Sequence, residues 1–299
     1  MLKPFTPGRP HWWQWLTVLS LDAPLVAVVW QGLFAHILEV RLGWYQYVLL
    51  GLTVWIVYAA DRWIEGWRLS PDTVKTQRHS FYIRWRWPVF GVGVVAIAGC
   101  ALIALTRLGL REWLAGFILV APTLVYLLSH QLLHRLNPWR VPKEICIALI
   151  FCLGTALAPL VLALPAQIQV CHVIRDVGPG TLAALWGPLG LFGLLCFTNL
   201  ALISAWEYEV DKQHGQTSLA LQFSRRLDLI HTLPWLLALL GFIAALRTHD
   251  AERMAALCVT ASALLLATLD RAEPKLGREA ARALVDLALL TPAVVLLFI

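Results

Sequence analysis

What most constrains this chain is the return, along its whole length, of apolar runs as long as a bilayer is thick. A helix rises about 1.5 Å per residue, so about 20 apolar residues cross a hydrocarbon core of about 30 Å. Inside that core only helices and closed barrels satisfy their own backbone amides. The runs are too long for barrel strands, and they predict spans at roughly 15–38, 44–64, 88–106, 113–133, 144–164, 180–206, 229–246, 254–270 and 283–299. The expected fold is all-α: a polytopic membrane protein with nine transmembrane helices around a central cavity, residues 1–299 forming a single domain. Composition agrees, since 59% of the residues are apolar and only 14% are charged. That balance argues against a soluble domain. The cysteines show no CxxC spacing; all but Cys171 lie in apolar runs, so no disulfide framework is implied. The first run is too long for a signal-peptide core, and no convincing small-residue cleavage site follows it.

The net charge of +6 raises the question of nucleic acid, but the charges collect in alternate loops and read as topology instead. No nucleic-acid partner is expected. One side receives Lys3 and Arg9, the basic loop from Arg68 to Arg86, Arg135 to Lys143, Lys212 to Arg226, and Arg271 to Arg282. The other has only Arg41, Arg107, Arg111, Arg175, Arg247 and Arg253. Positive loops stay inside, so the N-terminus is expected in the cytoplasm, in a cytoplasmic or inner membrane, and the C-terminus outside. Loops 65–87 and 207–228 then face the cytoplasm.

Two acidic pairs end two of the apolar runs. Asp61 and Glu65 close the second span; Glu207 and Asp211 close the sixth. Four residues apart on a helix, each pair shares a face, with Glu209 displaced from it. Like charges one turn apart repel, and carboxylates beside lipid are costly. Their occurring twice suggests a cation held between the pairs, and oxygen-only ligands point to Mg²⁺. The recurrence four spans later, each time before a polar loop, suggests two four-helix pseudo-repeats plus one helix. The plainer alternatives are solvated helix ends, or a structural ion pair in which Arg62 neutralises Glu65. His130 and His134 are spaced to share a metal or haem, but with no further ligand cluster they read as interface residues. Trp63, Trp67 and Trp206 adjoin the motifs and are candidates for shaping the cavity. His231 is expected to pack or bond locally, and Asp22 to cap a helix or make a buried contact. Asp270 and Asp286, near span ends, need no functional role.

These residues resemble the UbiA-type intramembrane prenyltransferases. That family has nine helices, an Asn-x-x-x-Asp-x-x-x-Asp motif ending helix 2, and an Asp-x-x-x-Asp motif followed four residues later by Gly ending helix 6. Asp61 and Glu65 match the acids of the first motif, and Glu207, Asp211 and Gly215 match the second. Thr217 or Ser218 stands where the family often has a hydroxyl, and Arg78-His79 where it has a basic segment. The chain departs at Val57, in place of the family Asn, and in having Glu at positions 65 and 207.

The resemblance implies an enzyme, a Mg²⁺-dependent prenyltransferase. It would move a prenyl group from a prenyl diphosphate to a small lipophilic acceptor, an aromatic ring among the candidates, within the membrane. Asp61, Glu65, Glu207 and Asp211 would be catalytic and hold the metal. Arg78, Lys75, Arg84 and Lys212 would bind the diphosphate. Two alternatives keep the fold: a UbiA-type terpene cyclase acting on the prenyl diphosphate alone, and a catalytically silent membrane protein that binds a lipid diphosphate. Val57 favours the silent reading; two intact acidic pairs oppose it.

Overall fold

The first apolar run does not form one helix. In the computed structural model, which describes residues 11–68, 77–128, 142–164, 179–214 and 218–298, it is broken into α1 (Trp15–Val18) and α2 (Asp22–Ile37). The segments Trp12–Val18 and Asp22–Ile37 meet at 82°. Ser20 makes the corner: it takes a left-handed conformation, φ 56°. Its amide donates to Thr17 O at 3.2 Å and the Leu21 amide to Leu16 O at 2.8 Å, which closes α1. This end motif usually holds Gly, because other residues meet a Cβ penalty there. Here the Tyr82 hydroxyl, 3.0 Å from Ser20 Oγ in a buried bond, helps hold the serine in place. The same motif ends α2 at Glu39, φ 54°, with the Val40 amide bonded to Ala35 O at 3.0 Å.

The chain continues through α3 (Trp44–Arg68), α4 (Gln77–Arg84), α5 (Arg86–Arg107), α6 (Leu110–Leu128) and α7 (Lys143–Ala163). Then come α8 (Pro179–Trp206), α9 (Tyr208–His214), α10 (Leu219–Gln222), α11 (Leu227–Arg247), α12 (Asp250–Leu276), α13 (Arg278–Leu287) and α14 (Thr291–Leu296). No strand occurs among the described residues. Six helices there are long and apolar enough to cross a membrane, seven if the bent pair counts as one span. The protein is thus an all-helical, membrane-spanning bundle. The expected fourth span is described only as far as Leu128. The expected last span is split among α13, a 3-10 turn and α14, and Gly277, at φ 83°, separates α12 from α13. Parts of both expected polar loops are helical, forming α4 in one and α9 and α10 in the other.

The centre of the bundle is where α2 meets α8. Trp30 and Phe192 stack with centroids 4.3 Å apart, Phe34 meets Phe192 edge-on at 5.5 Å, and Trp30 Nε1 donates to Leu289 O at 2.9 Å. In lipid, apolar side chains gain little by leaving the solvent, so close packing and buried polar bonds hold helices together. Gly241 shows how close: a Cβ there would lie 2.7 Å from Thr260 Oγ1 and 3.2 Å from Ala256 O. The helices differ sharply in enclosure. Within their membrane-length windows 67% of the residues of α8 are buried, against 6% of those of α3 and of α5. Val95, Leu105 and Ile118 point outward, where lipid is the solvent.

Candidate functional site

The apolar run of α3 ends in a face that carries Val57, Tyr58, Asp61 and Arg62, three and four residues apart, as helical periodicity requires. That face borders a polar cavity of about 150 Å³. Arg78 reaches the cavity from α4, Asp22 from the start of α2, Asn199 from α8, and Arg282 and Asp286 from α13. A second, larger cavity of about 480 Å³ adjoins it between α3, α6 and α7. Val57, Tyr58, Tyr126, Ile147 and Phe151 belong to both walls. The larger cavity is lined mainly by aliphatic side chains such as Leu50, Leu119 and Ile150. Among its few polar groups, Gln46 Nε2 donates to Glu112 Oε1 at 3.0 Å.

The second acidic pair spans the junction of α8 and α9. The Glu207 amide donates to Ile203 O at 2.9 Å and the Asp211 amide to Glu207 O at 2.8 Å, so the helical register carries through. Glu207 is ion-paired with Arg282. Burial alone would raise its carboxyl, but the guanidiniums of Arg282, Arg78 and Arg62 outweigh that and hold it at about 2. Asp211, one turn on, moves the other way: burial raises it, Glu207 adds to the rise, and Lys143 and Arg282 oppose it. Glu144, at the start of α7, is a third acid near this pair. It is buried, with the Leu219 backbone beside its carboxyl. Glu279 on α13 is raised by burial despite Arg78 and Arg282 beside it.

Asp61 and Arg78 therefore line one cavity, and Glu207 is tied to that cavity through Arg282. Asp211 is buried but is not among the lining residues. Arg84 and Lys212 are exposed and line neither cavity. Lys75, Gly215, Thr217, His130, His134, Cys171 and the Glu65 side chain lie outside the described residues. Among the described residues no group of three or more His, Cys, Asp or Glu is placed to hold a metal ion. The tryptophans beside the motifs do not line the cavities. Trp63 Nε1 donates to Arg86 O at 3.0 Å, and Trp67 lies under the Arg86 guanidinium at 4.6 Å. Trp206 and His231 both bond Asp270, each at 2.9 Å.

Four residues central to this geometry carry no site role in the sequence reading: Arg282, Asp286, Asn199 and Glu144. Arg282 counts there as a topology charge, yet with Glu279 and Asp286 it forms a helically spaced charged face leading into an apolar run. That pattern is a usable signal. Asn199, a lone amide within the sixth apolar run, is another. It also bears on Val57: a polar side chain does line this space, but it comes from α8, and its Nδ2 donates to Asp286 Oδ1 at 2.7 Å. No protein-family model matches this chain, and neither a curated protein nor a solved structure matches it.

Proposed function

We propose that this protein is an intramembrane prenyltransferase of the UbiA type. It would use Mg²⁺ to transfer a prenyl group from a prenyl diphosphate to a small lipophilic acceptor. One observation carries the proposal: three guanidiniums, of Arg62, Arg78 and Arg282, line a polar cavity that shares a wall with a much larger apolar one. An anionic head with a long apolar tail matches that division. The 480 Å³ of the apolar part falls within the usual range of ~300–1,000 Å³ for small-molecule sites. A guanidinium has five N–H donors, so the Glu207 carboxylate does not exhaust those of Arg282. Arg282 Nε is buried with no acceptor among the described residues.

The acids present suit a hard divalent cation. Asp61 borders the cavity, Asp211 is buried one turn from Glu207, and Glu144 is buried near Asp211. Asp61, Glu65, Glu207 and Asp211 would hold Mg²⁺, which when bound neutralises diphosphate oxygens as a Lewis acid. The arginines hold the diphosphate and stabilise the charge that grows on it as the C–O bond breaks. Tyr58, Tyr126 and Phe151 stand between head and tail, where aromatic faces attract an allylic cation. The apolar walls keep water from that cation. The nine-helix count and a cavity mouth facing the cytoplasm belong to this proposal.

A second reading, a silent lipid-diphosphate binder, is favoured by Val57 and by the ion pair that occupies Glu207. The test offers the purified protein, in detergent, prenyl diphosphates of several lengths with Mg²⁺, with and without a phenolic acceptor. Diphosphate release that requires the acceptor supports transfer, and release without it indicates cyclisation or hydrolysis. Binding without release supports the silent reading. Failure to bind any of them, in the presence of Mg²⁺, overturns both.

A further inference from the structure

Three side chains from three helices line the polar cavity together with the arginines: Asp22 of α2, Asn199 of α8, which is bonded to Asp286, and Asp286 of α13, one turn from Arg282. Backbone and amide groups fix the two carboxyls. The Ala23 amide donates to Asp22 Oδ1 at 2.9 Å, and Asn199 Nδ2 to Asp286 Oδ1 at 2.7 Å.

That second bond orients the amide of Asn199. With Nδ2 on the carboxyl, Oδ1 is left over, and it is buried with no partner among the described residues. Asn199 is only 5% exposed. A buried amide oxygen without a donor is costly, and its position on the cavity wall asks for a ligand that supplies one.

We propose that this part of the cavity wall seats the acceptor: Asn199 Oδ1 accepts a hydrogen bond from an O–H or N–H group on it. The proposal rests on the prenyltransferase reading only in calling that molecule the acceptor; the seat itself needs no diphosphate.

One measurement tests this without any diphosphate, so a failure of the prenyltransferase reading would leave it readable: binding of 4-butylphenol to the protein in lipid nanodiscs is compared with that of its O-methyl ether. The phenol should bind at least about fivefold more tightly, the scale of one buried hydrogen bond. Asn199→Leu should erase that preference while the ether binds as before, which also reports a folded protein. Asn199→Asp, which keeps an acceptor oxygen, should retain it. Equal binding of phenol and ether to the unaltered protein, or a preference that survives in Asn199→Leu, overturns the seat.

Discussion

Asp61 and Glu207 hold matching places at the ends of α3 and α8, yet one borders a cavity and the other is closed against an arginine. The difference follows from where their helices stand. α3 is a peripheral wall, with 6% of the residues in its membrane-length window buried, and α8 is the centre of the bundle, with 67% buried. A helix end at the centre is met from several sides, and α13 brings Arg282 to Glu207 across 75 positions of chain. Spacing puts two acids on a face; tertiary packing decides what that face meets. The first pair thus gives its leading acid to the cavity, while the second is built into the frame that positions the arginines.

If that is so, the largest effect should come from breaking the frame. Arg282→Met leaves Glu207 buried beside a missing partner, and breaking a buried pair in this way costs about 3–5 kcal/mol. The lower end is expected, since Arg62 and Arg78 remain near. Thermal unfolding in nanodiscs, followed by tryptophan fluorescence, should show a clear drop for Arg282→Met. Asp61→Asn, which keeps the shape of the side chain and an acceptor oxygen, should show a smaller drop. Equal losses for both would mean that the two pairs are not different in kind.

Acid should separate the two members of the second pair. Glu207 has its folded value lowered from 4.5 to about 2. Its contribution, about 3 kcal/mol, is present above pH 4.5 and lost as pH falls through 2. Asp211 is raised above its ordinary 3.8. Its contribution has the opposite sign: full below 3.8, and lost as pH rises through its folded value. Asp211→Asn should therefore raise stability at neutral pH, and Glu207→Gln should lower it. If both substitutions change stability in the same direction, the electrostatic account of this junction is wrong.

The ligand should divide the pairs the other way. Asp61→Asn should weaken Mg²⁺-dependent binding of a prenyl diphosphate by about tenfold, about 1.4 kcal/mol. It should do so with a smaller loss of thermal stability than Arg282→Met. Chelation of the divalent ion should reproduce the loss in the unaltered protein. Equilibrium binding with a radiolabelled prenyl diphosphate distinguishes this from a folding defect.

These contrasts also show what the sequence could and could not reveal. The helical class was legible because apolar runs of membrane length leave the backbone little else to do. The face of α3 that borders the cavity was legible from the spacing of Asp61, and Arg78 from its basic context. The corner at Ser20 was not, because a serine in a left-handed conformation leaves no mark on hydropathy. Nor was the arginine on Glu207, because an ion pair between residues 75 apart has no local signature. Asn199 and Asp286 were visible as polar residues in apolar runs, but only the fold brings them together.

The smallest predicted effect tests how far charge alone can identify a binding residue. Arg78, Arg84 and Lys212 are all basic and all follow an acidic motif. Arg78 is 8% exposed and lines the polar cavity, whereas Arg84 and Lys212 are exposed and line neither cavity. An exposed cation is hydrated and screened over about 8–10 Å at ordinary ionic strength, so it adds little to a buried anion's affinity. Arg84→Ala and Lys212→Ala should change prenyl diphosphate binding by less than about twofold, and stability by less than about 0.5 kcal/mol. Arg78→Ala should cost at least about tenfold in binding, because a guanidinium on a cavity wall offers a phosphate several paired donors. The three variants, measured side by side at two salt concentrations, make the comparison sharp. Any small contribution from Arg84 or Lys212 should disappear at the higher salt, while that of Arg78 should largely persist. A large, salt-resistant loss in Lys212→Ala would instead place the diphosphate against α9, on the side of the second pair.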